Sequence, residues 1–251
     1  MGPGLGVDLD LLVVLVAALW GAGAGALLPR AVYRFAAPSG ETWRERCPGE
    51  HPVRGWLGRA RCAQCTSEPQ AYGPGAGLLA AVTAVVCVAL AGATGARPEV
   101  AVWLLLAPVG VLLAAVDLRV RRLPDPLTLP LAGAALVLLG LTALVPEHAG
   151  EWTTALLGSL ALGAGYLVLF LINPAGMGFG DVKLALGAGA VLGWYGWPTL
   201  ILGTFAGFLL GAIYGGVLLV TRRAGRKTAI PFGPFLIAGA FLGLLVGAFT
   251  A

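Results

Sequence analysis

The chain reads as a series of long apolar runs separated by short polar joints. The runs fall at 8–29, 76–95, 100–117, 127–145, 153–172, 182–197, 198–220 and 231–250, with the junction at Trp197-Pro198 the least marked. Most are close to the 20 residues that a helix needs to cross about 30 Å of hydrocarbon. Inside a bilayer the backbone must satisfy its own hydrogen bonds, so only helices or a closed barrel can span it. The runs are continuous and do not alternate, which selects helices. The pattern predicts an all-α polytopic membrane protein of about eight transmembrane helices. One long polar stretch interrupts it. The expected organisation is a first transmembrane helix at 1–29, a polar insert at 30–75 and a seven-helix membrane core at 76–251.

Composition agrees. The chain has 251 residues, 58% hydrophobic and 11% charged, with a mean hydropathy of +0.88. Soluble domains carry about 25% charged residues. Residues 1–10 contain no lysine or arginine, so the basic start of a cleaved signal peptide is missing and the first run is expected to stay as a helix. Gly203, Gly207, Gly211 and Gly215 recur every fourth residue, a face on which a neighbouring helix backbone can approach closely.

Charge sets the orientation, because short cytoplasmic loops are enriched in lysine and arginine. With the N-terminus outside, the inner segments hold Arg30, Arg34, Arg44, Arg46, Arg54, Arg59, Arg61, Arg119, Arg121, Arg122, Lys183, Arg222, Arg223, Arg226 and Lys227. The outer loops hold only Arg97, beside Asp8, Asp10, Glu99, Glu147 and Glu151. Both termini are then outside and the insert is cytoplasmic.

Two acidic residues fall at the boundary of apolar runs. Asp117 ends Leu112-Leu113-Ala114-Ala115-Val116-Asp117, and Asp181 opens a run within Gly178-Phe179-Gly180-Asp181-Val182-Lys183-Leu184. The orientation puts both at cytoplasmic helix ends, where an ionisable group in a membrane segment is a functional candidate. Two carboxylates that meet share a proton, the arrangement an aspartic protease uses. Gly178 and Gly180 flank a place where a substrate backbone would approach and side chains would block it. The plainer alternative is that each aspartate caps a helix or pairs with a nearby arginine. Asp125, followed by Pro126, reads as the N-cap of the next helix.

These residues resemble the type IV prepilin peptidases, relatives of the GxGD intramembrane aspartyl proteases. The resemblance rests on Asp117-Leu118-Arg119-Val120-Arg121-Arg122-Leu123-Pro124-Asp125-Pro126-Leu127-Thr128-Leu129-Pro130, on Gly176-Met177-Gly178-Phe179-Gly180-Asp181-Val182-Lys183-Leu184, and on Ile230-Pro231-Phe232-Gly233-Pro234-Phe235. It covers residues 100–251. It implies a membrane aspartic endopeptidase of the bacterial cytoplasmic membrane, with Asp117 and Asp181 catalytic and no cofactor for the peptidase chemistry. The implied partners are prepilin or pseudopilin substrates, cut at the cytoplasmic boundary between a basic leader and an apolar helix, and the bilayer, with no nucleic acid. Glu41, Glu45, Glu50 and Glu68 of the insert are candidates to meet the leader.

The front of the chain matches the family less well. Tyr33-Arg34 is retained, but Gly25-Ala26-Leu27-Leu28-Pro29 stands where the family has Gly-Ser-Phe-Leu-Asn. Many members also methylate the new N-terminus with S-adenosylmethionine. That activity is associated with this departing region, so the resemblance carries no expectation of it here. The family's two Cys-x-x-Cys pairs are reduced to Cys47-Pro48-Gly49-Glu50-His51 and Cys62-Ala63-Gln64-Cys65. Thiolates at this spacing suit a tetrahedral structural zinc, with His51 or Glu50 as fourth ligand, and a short insert gains from such a staple. Reduced thiols left from a lost site are the alternative. The fourth cysteine, Cys87, lies inside an apolar run. A rival of another class is a transporter or a non-catalytic membrane assembly component with a zinc-bound cytosolic insert. Transport sites sit near the bilayer midplane, whereas both aspartates are boundary residues.

Overall fold

A computed structural model describes residues 3–38, 40–65, 71–174, 176–221 and 231–251, with side chains from residue 9. Its helices are α1 (Pro3–Phe35), α2 (Ala76–Thr94), α3 (Glu99–Val120), α4 (Asp125–Thr142), α5 (Trp152–Ile172), α6 (Phe179–Trp194), α7 (Trp197–Val220) and α8 (Gly233–Thr250). The protein is an all-helical, polytopic membrane protein. Seven of the eight are long and apolar enough to cross a membrane. The exception is α6, at 16 residues, or about 24 Å of helix. Arg222, Arg223, Arg226, Lys227, Glu68 and Ile230 lie outside the described residues, as does the side chain of Asp8.

The chain forms two compact units: Met1–Ala96 with Trp103–Arg122, and Arg97–Val102 with Leu123–Ala251. In the first, α1 packs on α2 through Gly21 and Gly25. A Cβ at Gly21 would lie 2.8 Å from the Ala84 Cα, and one at Gly25 would strike the Leu79 carbonyl. Glycine is what lets the two backbones come this close.

Helix α1 runs past the expected end at residue 29 and continues to Phe35. Pro29 should interrupt it, since proline lacks an N–H and crowds the preceding turn. The insert supplies the repair. The Gly58 N–H donates to the Leu27 carbonyl at 2.7 Å, and the Gly58 carbonyl accepts from the Arg30 N–H at 3.0 Å. Side chains of the last helical turns hold the insert further. The Arg30 guanidinium donates to the Arg54 carbonyl (2.7 Å), the Tyr33 hydroxyl to that of Arg46 (2.8 Å) and the Arg34 guanidinium to that of Gly55 (2.9 Å). Arg34 also stacks on Trp56, 4.0 Å from its centroid. The helix around Pro29 and the insert therefore complete one another's hydrogen bonds.

In the second unit α6 is the inner helix, packed by α4, α5, α7 and α8. Eleven of its sixteen residues are buried, which is why a helix shorter than the hydrocarbon is tolerable: its neighbours, not lipid, surround it. Gly158 of α5 meets Gly189 and Gly193 of α6 backbone to backbone. The α6–α7 break falls at Tyr195-Gly196, two residues before the expected Trp197-Pro198. Gly196 has φ +93°, and Pro198 sits inside the first turn of α7. Three glycines of the α7 repeat face α8 and its N-cap: Gly203 and Gly207 lie against Gly239, and Gly211 against Phe232.

Glu99, expected in an outer loop, is instead the first residue of α3 and fully buried. Its Oε1 lies 3.8 Å from the Arg97 guanidinium and accepts from the Ala149 N–H and the Tyr195 hydroxyl, both at 3.4 Å. Arg97 in turn donates to the Ala248 carbonyl. One ion pair thus ties the start of α3 to the α4–α5 connection, the α6–α7 break and the end of α8.

Candidate functional site

Asp117 lies in the last turn of α3 and is 4% exposed; Asp181 lies in the first turn of α6 and is 6% exposed. One belongs to each unit. Both carboxylates are buried, and a buried carboxylate is costly to ionise unless hydrogen bonds or opposite charge compensate it.

The local reason for each position is visible. Helix α3 stops because Arg121 takes a left-handed conformation, φ +51°, while its N–H still bonds the Asp117 carbonyl at 2.8 Å. The basic stretch then turns onto the insert. Arg122 donates to the Pro38 carbonyl at 3.0 Å and lies over the Trp43 ring at 4.8 Å. Helix α6 starts at Gly178, whose extended backbone (φ −77°, ψ 145°) serves as N-cap. The Gly178 N–H donates to Asp181 Oδ2 at 3.2 Å, and the Asp181 N–H to the Gly178 carbonyl at 3.0 Å. Asp181 thus makes the helix-capping contact that a residue at this position can make, and its burial goes beyond what capping requires.

The two glycines before Asp181 differ. A Cβ at Gly180 would lie 2.9 Å from the Leu123 Cβ, so packing accounts for that glycine. At Gly178 an added Cβ would meet only Asp181 Oδ2 at 3.5 Å and the Gly180 N at 3.9 Å, ordinary contacts, and the residue is exposed.

Asp125 is not the N-cap. That position is Pro124, Asp125 is the first helical residue, and Pro126 follows inside the turn. The extended Pro124 ends the link from α3 one residue earlier than expected, which frees the Asp125 carboxylate. It pairs with Lys183 at 2.7 Å, two residues beyond Asp181. Lys183 also lies 5.0 Å from the Phe179 ring. The sequence placed Lys183 among the inner charges and within the Gly176–Leu184 motif but gave it no partner. Its place in the turn after Asp181 was the available signal.

In the insert, Cys47, His51, Cys62 and Cys65 converge, their ligand atoms all within 4.8 Å of one another. Cys47 Sγ lies 3.7 Å from Cys65 Sγ and 3.7 Å from His51 Nδ1; His51 Nδ1 is 3.7 Å from Cys62 and 3.5 Å from Cys65. Around a tetrahedral zinc, Zn–S and Zn–N distances of about 2.3 and 2.0–2.1 Å give edges of about 3.8 Å between sulfurs and 3.6 Å between sulfur and nitrogen. The spacing fits, and the four residues can hold a metal such as zinc. Of the two candidates for fourth position, His51 joins the cluster; Glu50, at φ +61°, shapes the turn. Gly49 is required there, since a Cβ would lie 2.9 Å from Cys65 Sγ.

Burial raises the Cys47 and Cys62 thiols. Hydrogen bonds, to Cys47 from the backbone of His51 and Gly49 and to Cys62 from that of Gln64, outweigh it and hold both below the ordinary thiol value. Cys65 is pushed up to about 11, first by its hydrogen bond with Cys62 and then by burial. Cys87 is buried in α2, apart from this group.

Residues 104–216 match the model of the type IV leader peptidase family. Several bacterial proteins named prepilin leader peptidase/N-methyltransferase are similar to the chain. That of Aeromonas salmonicida strain A449 is 37% identical over 207 residues, covering 78% of this chain and 66% of its own length. The Stutzerimonas stutzeri protein is 30% identical, covering 80% and 71%, and the Pseudomonas aeruginosa protein 31% identical, covering 87% and 75%. The chain therefore spans slightly under two thirds of the Aeromonas relatives. No solved structure matches it.

Proposed function

The chain belongs to the type IV leader peptidase family, and from that membership we propose that it is an aspartic endopeptidase that removes the basic leader of type IV prepilin-like proteins at the cytoplasmic face of a bacterial membrane. The observation that carries the reading is the pair of buried carboxylates, Asp117 and Asp181, each in the terminal turn of its helix and each inside the matched region. In the proposed reaction the ionised member takes a proton from a water molecule as its oxygen attacks the peptide carbonyl. The protonated member polarises that carbonyl and its proton completes the tetrahedral intermediate. Collapse breaks the C–N bond, the leaving amine takes a proton, and the pair returns to one shared proton.

Gly178 fits as a substrate-facing position. Its bareness answers no packing need of the described chain, and an extended peptide approaching Asp181 would use the space. Gly180 supports the site through its contact with Leu123 and, in the same reading, keeps the substrate strand close. Glu41, Glu45 and Glu50 are exposed on the insert and suit a basic leader, with salt screening such contacts. The transporter alternative is less well supported, because both carboxylates lie at helix ends and not mid-helix.

The insert would hold one structural zinc through Cys47, His51, Cys62 and Cys65. Four protein ligands close the shell, so the metal would tie the two turns together and take no part in cleavage. The proposed topology has both termini outside and the insert, Asp117 and Asp181 inside. The relatives' names also carry N-methylation, and Gly25–Pro29, in the region tied to that activity, departs from the family pattern. The test is to incubate the purified protein with a prepilin and map the cut by mass spectrometry, with Asp117→Asn and Asp181→Asn alongside. A cut between leader and apolar helix that both variants lose supports the reading; an unchanged cut in either variant refutes it.

A further inference from the structure

Tyr166 stands in α5, six residues before its end at Ile172, about 9 Å along the helix axis. It is 1% exposed, on the face that α5 turns towards its neighbours with Leu162 and Gly163. Its ring stacks on Phe208 of α7 (centroids 5.7 Å apart, 30° between planes) and leans on Phe232 at the start of α8 (6.0 Å). Phe208 and Phe232 also contact each other at 5.2 Å. Three aromatic rings from three helices therefore fix the orientation of one phenol. At its tip the hydroxyl is buried and has no hydrogen-bond partner among the described residues. Gly163, one turn before it, packs on Leu186 of α6, and Phe170, one turn after it, meets Phe179 at 5.4 Å, so Tyr166 is level with the start of α6, which carries Asp181.

This combination needs an explanation. Buried tyrosine hydroxyls nearly always find a partner, because leaving the donor unpaired is unfavourable. A phenylalanine would fill the same aromatic slot without that cost. The hydroxyl is thus oriented by packing, unused by the fold, and on the α5 face that meets the start of α6, where one of the two proposed catalytic carboxylates stands. We propose that Tyr166 is a further catalytic residue whose hydroxyl donates a hydrogen bond to the carbonyl oxygen of the peptide bond being cleaved at Asp181. This rests on the peptidase reading. As the carbonyl becomes tetrahedral, negative charge grows on its oxygen, and a fixed donor in a dry site binds that charge more strongly than it binds the ground-state carbonyl. The tyrosine keeps its proton throughout. The aspartates still supply and accept the protons, and Tyr166 lowers the barrier between them.

Tyr166→Phe removes one oxygen and leaves the ring stack. Loss of a donor of this kind lowers kcat about a hundredfold, with KM unchanged because the bond matters chiefly in the transition state. The experiment measures kcat and KM for prepilin cleavage by the detergent-purified full chain and its Tyr166→Phe variant, with the melting temperature of each. Asp181→Asn is assayed in parallel. Support is a large fall in kcat at constant KM, with a melting temperature equal to or above that of the parent. Wild-type kcat in the variant overturns the inference. So does a fall in activity that accompanies a lower melting temperature or failure to accumulate, because the hydroxyl would then be structural. Cleavage by Asp181→Asn would overturn the peptidase reading itself, whatever the tyrosine variant does.

Discussion

Replacing Arg97 with methionine tests the buried ion pair at the start of α3. Glu99 is 0% exposed, and Arg97 is its charge partner at 3.8 Å. Its other contacts, from the Ala149 N–H and the Tyr195 hydroxyl, are both long at 3.4 Å. Glu99 Oε2 has no hydrogen bond among the described residues. Methionine keeps the apolar stem of the side chain but removes the guanidinium and leaves the buried carboxylate with two weak donors. Removing one member of a buried pair costs about 3–5 kcal/mol. For a chain of this size, each kcal/mol moves the melting temperature by about 2–4 °C, so Arg97→Met should lower it by about 6–20 °C. Part of that loss is the Arg97 bond to the Ala248 carbonyl. The double variant Arg97→Met/Glu99→Gln separates the two. With the charge gone, it should recover more than half of the loss, whereas Glu99→Gln alone removes the arginine's charge partner and should be destabilised. Melting of the four proteins in one detergent gives the coupling directly. An Arg97→Met protein that melts with the parent, or a double variant no better than the single one, would refute the reasoning.

Asp117→Asn and Asp181→Asn should each abolish prepilin cleavage while the protein accumulates and melts as the parent does; full cleavage by either removes the assignment. Gly178→Ala should leave the melting temperature unchanged but slow cleavage, while Gly180→Ala, whose Cβ would press on Leu123 at 2.9 Å, should lower stability by about 1–3 kcal/mol, as overpacking does. Equal stability in the two would contradict the packing argument. Elemental analysis should find one zinc per chain, lost on Cys62→Ser. Removal of that zinc should raise protease sensitivity near Cys47–Cys65 more than it slows cleavage, and an unchanged digestion pattern would leave the cysteines without a metal role. Asp125→Asn breaks a pair whose carboxylate is 63% exposed, so it should cost under about 1 kcal/mol, read as a small melting shift that salt reduces.

The helices were legible because apolar length is a direct consequence of the bilayer, and the carboxylates because charge is rare in such runs. What was not legible depends on contacts between distant residues. Pro29 looked like the end of α1, and local propensity alone supports that reading. Gly58, 29 positions later, pairs with the Leu27 carbonyl and the Arg30 N–H on either side of the proline, and nothing about an isolated glycine in a polar loop announces it. The same holds for Glu99. Counted by position it was an outer-loop acid, and a lone arginine two residues earlier gave no sign that the pair would be buried together. Asp125 shows the opposite failure. Its sequence signature for capping was strong, yet Lys183 lies across the start of α6 and the link from α3 is one residue shorter, so an ion pair replaces the cap. Tyr166 lay beyond pattern reading altogether. A tyrosine in an apolar run is an ordinary membrane residue until its hydroxyl is seen buried and without a partner among the described residues, on the helix face that meets the start of α6. Chemistry in this fold is therefore written twice. The charged residues that the membrane makes conspicuous can be found in the sequence, whereas a neutral group such as the Tyr166 hydroxyl, proposed to meet the substrate, shows itself only in the packing that leaves it without a partner.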